Sequence, residues 1–178
     1  MKPSFAFLIL AFLATPAFSQ QMPAYTEGGP VPPAITNAKN IFVSNGGADA
    51  GLFPEPFSGD NNRAYTEFFA ALQATKQFAL VADPSQADVV LELSLIAPYG
   101  PTYQNKSNGT ADSLPQFKLV VYDRKTHYVL WTITQPVELA YLQKTHDKNF
   151  DDALATVLRE FIAISHRPAV APPQPPTQ

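Results

Sequence analysis

One stretch, residues 64–95, leaves few choices of fold: AYTEFFAALQATKQFALVADPSQADVVLELSL. Tyr65, Phe68, Phe69 and Leu72 recur at i, i+3, i+4 and i+7, the spacing that gathers one apolar face on a helix. Asp60, Asn61 and Asn62 precede it and offer side-chain oxygens to the orphan N–H groups of a first turn. Phe78, Leu80 and Val81 follow as a short apolar run. Asp83-Pro84-Ser85 stops it, because proline cannot donate to a ladder and its neighbours favour turns. Val89, Leu91, Leu93 and Leu95 then alternate with Val90, Glu92, Ser94 and Ile96, a strand with one apolar face and one mixed face.

The flanking chain supplies the remaining elements. Ile41, Phe42 and Val43 predict a first strand, with Lys39 and Asn40 at its start. Residues 44–59, with four glycines and two prolines, read as a long loop into the helix. Residues 97–113 are rich in turn formers and carry Tyr99 and Tyr103. Phe117, Leu119 and Val121 predict the next strand and Val129, Trp131 and Ile133 the last, joined by a polar hairpin over 123–127. Pro136 ends or bends that strand, and residues 137–141 extend it past a bulge. A final helix is expected from Asn149, with Asp151 and Asp152 near its positive end and a stripe of Phe150, Leu154, Val157, Leu158, Phe161 and Ile162.

The expected fold is therefore a single α+β domain over 39–166. Its order is β-α-β-β-β-β-α, a five-stranded mixed sheet with two helices packed on one face. That leaves the other face with Val90, Glu92, Ser94, Val120, Tyr122, Leu130 and Thr132, more apolar than a solvated face needs.

Residues 1–19 read as a secretory signal peptide. Lys2 gives a positive start, residues 5–13 an apolar core too short to span a bilayer, and Ala17-Phe18-Ser19 the small residues before cleavage at Gln20. Residues 20–38 read as a flexible Pro/Gly-rich tether and 167–178 as a disordered proline-rich tail. The expected location is periplasmic or secreted, with no transmembrane segment in the mature chain. There is no cysteine, which excludes disulfides, thiolate chemistry, cysteine zinc sites and lipid attachment through an N-terminal cysteine. Net charge is −3, against nucleic acid as a partner, since phosphate binding needs a basic surface.

Three segments carry a family resemblance: NIFVSN, FALVADPSQADVVLELSL and FKLVVYDRKTHYVLWTIT. Over roughly 40–164 the pattern resembles the N-terminal domain of TolB and the related CsgG-like and penicillin-binding-protein-activator lipoproteins. In those families an F-x-L-V strand leads to a small helical turn ending in Ala-Asp and then an apolar strand. Here that is Phe78, Leu80 and Val81, then Ala87-Asp88, then 89–95. The chain departs from them in having no lipidation cysteine and no propeller domain following. The resemblance implies a periplasmic α/β domain used for protein–protein contacts and brings no catalytic residue.

Catalytic signatures are lacking. There is no G-x-S-x-G, and His127, His146 and His166 fall in different elements. Asp147 and Asp151 share one face at helical spacing beside His146, but acidic residues at a helix start act as capping and dipole partners. Paired carboxylates of the glycosidase kind are not ruled in by spacing alone. Asn105-Lys106-Ser107 and Asn108-Gly109-Thr110 fit a glycosylation sequon and equally a polar loop. No cofactor and no metal site is expected. The leading reading is an exported, non-catalytic module that binds another envelope protein through Val90, Tyr99, Tyr103, Val120, Tyr122 and Leu130. The alternative is a small-ligand-binding protein or hydrolase using the 44–59 loop, with Ser44, Asn45, Gly46 and Gly47 after a strand and before a helix N-terminus.

Overall fold

The computed structural model describes residues 29–98 and 114–167. A short helix α1 (Pro33–Thr36) leads into β1 (Asn40–Ala48), α2 (Arg63–Ala74), β2 (Ala79–Leu80), a 3₁₀ turn (Pro84–Gln86), β3 (Val89–Ile96), β4 (Gln116–Asp123), β5 (Val129–Pro136) and α3 (Gln143–Ser165). The strands form one mixed sheet in the order β2-β1-β3-β4-β5. β1 runs parallel to β2 and β3, and β4 is antiparallel to both β3 and β5. This is the expected α+β domain. α2 packs on β1 and β3, α3 on β4 and β5, and α1 on α3, so the helices share one face.

The alternation in β3 is as read: Val89, Leu91, Leu93 and Leu95 are buried, while Val90, Glu92, Ser94 and Ile96 are half-buried. Leu119, Val121 and Ile133 continue the core face, and Phe68, Leu72, Phe150, Val157 and Phe161 close it from the helices. Ala87 is buried, and the Asp88 carboxylate accepts the N–H groups of Asn40 at 2.8 Å and Lys39 at 2.9 Å. Those N–H groups hold its pKa below the usual carboxylate range. The Ala-Asp pair thus pins the start of β1 to the start of β3.

Five readings differ from the sequence expectation. β5 ends at Pro136, and residues 137–141 do not extend it as a strand. β1 runs on to Ala48, so Ser44, Asn45, Gly46 and Gly47 lie in a strand rather than in the loop. Gly46 is there for close approach, since a Cβ on it would stand 2.8 Å from the Leu93 carbonyl oxygen, and Gly47 for its φ of +77° beside a register shift. α3 starts at Gln143, and Asn149 sits inside it, giving its amide to the Glu138 carbonyl at 2.9 Å. Asn62 stands at the α2 N-cap without a capping side-chain bond, its amide oxygen accepting from Asn45 instead. Within the stretch read as tether, Val31 and Ile35 are in the core, 5% and 1% exposed, and residues 33–36 are helical. No helix among the described residues is long and apolar enough to cross a membrane.

Candidate functional site

The sheet face without helices is ordered by register. Partners in register share a face, so Phe42, Val90, Tyr122 and Val129 form one row across four strands. The next row is Ser44, Glu92, Val120 and Thr132, and the one after holds Ser94, Lys118 and Thr134. The face is therefore apolar toward one end and polar toward the other. Val120 is 6% exposed, filling the centre, while Phe42, Val90, Glu92 and Tyr122 are half-buried. The Tyr122 hydroxyl donates to Glu92 at 3.4 Å. Burial raises the phenol's pKa, and the Glu92 charge adds to that. Such a face offers flat apolar area with one tyrosine tip and one carboxylate, the makings of a contact surface rather than of bond chemistry.

Of the residues assigned to this surface from sequence, Val90, Val120 and Tyr122 are brought together. Leu130 is set apart: it sits at the register shift near the start of β5 and packs partly against the core. Tyr99, Tyr103 and both sequons lie outside the described residues. Phe42 and Val129 were missed, although Phe42 alternates with Ile41 and Val43 and had to point the other way.

The loop before α2 is filled from within. Leu52 and Phe57 are fully buried, and Phe57 packs on Phe150 with ring centroids 5.3 Å apart. Arg63, the first residue of α2, ties this loop to α3. Its guanidinium donates to Asp147 and Asp151, each at 2.7 Å, to Glu67 at 2.8 Å and to the Ser58 carbonyl at 3.0 Å, and it lies 4.2 Å from the Phe150 ring centroid. Burial pushes the Asp147 carboxyl up, but the Ser58 N–H and Arg63 outweigh it and hold it at about 2. Asp147 and Asp151 do share a helix face, and their common partner is an arginine. His146 donates from Nδ1 to the Pro56 carbonyl at 3.0 Å, and its buried Nε2 has no partner among the described residues. His127 occupies the hairpin turn at φ +60°, and His166 meets Gln77 at 2.9 Å. The three histidines do not converge. Among the described residues, no group of three His, Cys, Asp or Glu side chains is placed to hold a metal ion.

Between α2 and α3 runs an open groove of about 360 Å³. Phe68, Ala71, Leu154, Leu158 and Ile162 line it with Glu67, Asp151 and Arg159. Two of its three charged groups, Glu67 and Asp151, are already engaged by Arg63.

No protein-family model and no curated protein matches the chain. Solved structures do. A DUF4136 family protein from Bacteroides thetaiotaomicron is 13% identical, with a TM-score of 0.48 over 75% of this chain and 92% of that one. A PelC variant from Paraburkholderia phytofirmans, solved as a dodecamer, is 16% identical with a TM-score of 0.42 over 69% and 86%. A DUF330 protein from Xanthomonas campestris is 14% identical with a TM-score of 0.41 over 70% and 81%. The resemblance to TolB and its relatives has no counterpart among these three.

Proposed function

We propose that this chain is an exported, non-catalytic module of the bacterial envelope, periplasmic or secreted, that binds another envelope protein across its helix-free sheet face. The observation that carries the reading is the row Phe42, Val90, Tyr122 and Val129, an apolar band on the sheet face that no helix among the described residues covers. Export is supported by the charged start, short apolar core and small-residue cleavage pattern of residues 1–19. The alternative, a hydrolase or small-ligand site on the 44–59 loop, has less support. Its Ser44–Gly47 run is strand, and the rest of the loop is plugged by its own Leu52 and Phe57.

The test is a photoreactive side chain placed at position 90 in the exporting host. A discrete adduct with another protein is expected, lost when Tyr122→Arg is added; arginine there keeps Glu92 paired while removing the aromatic contact. Adducts formed equally well from the exposed helix position Ala163, or unaffected by Tyr122→Arg, would overturn the reading. Sequencing the mature N-terminus checks export, and a chain still beginning at Met1 would refute it.

A further inference from the structure

The two edges of the sheet are built differently. On one side β2 has only two residues, so most of β1 has no strand neighbour there among the described residues. That exposed length carries the register shift between Asn45 and Gly47, and Asn45 Oδ1 takes the Gly47 N–H at 2.9 Å. A short edge strand and a bulge are devices that keep an edge from pairing with another chain.

The opposite edge lacks them. β5 reads VLWTITQP, with no charge and with its proline last, and its single register shift lies opposite Tyr122, leaving 131–136 regular. Half the backbone N–H and C=O groups of an edge strand point away from its neighbour. Among the described residues, no strand lies beyond β5. Tyr128 and Val129 at its start are 74% and 55% exposed, and Thr132 and Thr134 are exposed as well.

The charges at the ends of β5 select the partner and its direction. Arg124, Lys125 and His127 stand in the turn before it, and Glu138 stands just after it. Asp123 in the same turn is occupied by Lys125 N–H, Thr126 N–H and the Thr126 hydroxyl. Antiparallel pairing of two β5 strands sets the basic turn of each copy beside Glu138 of the other, whereas parallel pairing sets basic beside basic. We propose that β5 is a dimerisation edge. It pairs antiparallel with β5 of a second copy of this chain about a two-fold axis, with Lys125 of each copy facing Glu138 of the other. The interface is isologous, so it closes on itself and does not propagate into fibres.

The test is sedimentation equilibrium from the micromolar to the near-millimolar range, on protein purified from cells expressing the whole 178-residue chain. Wild type is expected to approach twice the monomer mass at high concentration. Thr134→Lys should raise the dissociation constant about tenfold or more, with an unchanged circular dichroism spectrum because Thr134 is exposed. Lys125→Glu and Glu138→Lys should each weaken the dimer, and the two together should restore it. A monomer at every concentration would overturn the proposal, and so would a dimer indifferent to Thr134→Lys. Failure of the double charge swap to restore association would overturn the antiparallel arrangement. A chain that stays monomeric alone but pairs through β5 with a foreign strand would replace the second copy as the occupant.

Discussion

Arg63 is the residue on which the helix side of this domain converges. It meets three carboxylates, a carbonyl and an aromatic face, joining the loop before α2 to a helix more than eighty residues away in sequence. Among its partners Asp147 has the largest consequence for pH. Its carboxyl is held at about 2 in the fold, below the value near 4 that an unfolded aspartate has. A depressed acid stabilises the fold above its unfolded pKa, and that contribution is lost as pH falls through the folded one. Wild-type thermal midpoints should therefore fall between about pH 4 and pH 2. Asp147→Asn should cost about 1–2 kcal/mol at neutral pH and flatten the fall in that window. An equally steep acid limb in the variant would place the proton elsewhere. The four-residue spacing of Asp147 and Asp151 told correctly that they share a face. The cation between them was not legible, because nothing local in the sequence points from residue 63 to residue 147.

At the scale of elements, what was legible is what alternates. β3, β4 and the apolar stripe of α3 carry their buried faces in their own periodicity, since each buries one side and wets the other. The boundaries that failed lie where local signals compete with packing. Gly46-Gly47 has loop composition, yet the strand needs no Cβ at 46 against the Leu93 carbonyl and a positive φ at 47. Asn149 has cap chemistry, yet the helix runs through it, because Gln143, Lys144 and Thr145 before it contain no breaker. Residues 31–36 look like linker from composition, but α1 lays Ile35 into the core next to α3. Ile35→Ala should accordingly cost about 2–5 kcal/mol, read as a lower urea midpoint with an unchanged slope. A chain beginning at Lys39 should be less stable for the same reason. An unaltered midpoint in Ile35→Ala would mean that α1 contributes no packing.

For the whole molecule, the sheet's proposed edge and its proposed face have a joint consequence. A two-fold axis that pairs β5 strands antiparallel stands perpendicular to the sheet, so it leaves both helix-free faces on the same side. The Phe42–Val90–Tyr122–Val129 rows of the two copies then lie toward opposite ends of the paired strands, because Val129 starts β5 and stands beside the end of the other copy's β5. A dimer of this kind presents two copies of one contact surface to whatever carries the partner. Two linked contacts convert the second binding event into an intramolecular one and slow release without any new contact. The partner recovered by crosslinking from position 90 makes the test possible. Spread densely on a sensor surface, it should release wild type at least about tenfold more slowly than Lys125→Glu. Spread sparsely, it should release both at the same rate, since Lys125 is not on the face. Tyr122→Arg should weaken binding at either density while leaving self-association intact. Equal release of wild type and Lys125→Glu at high density, with the dimer confirmed in solution, would show that the two faces do not reach one surface together. The edge would then hold copies together for some purpose other than a shared grip on the partner.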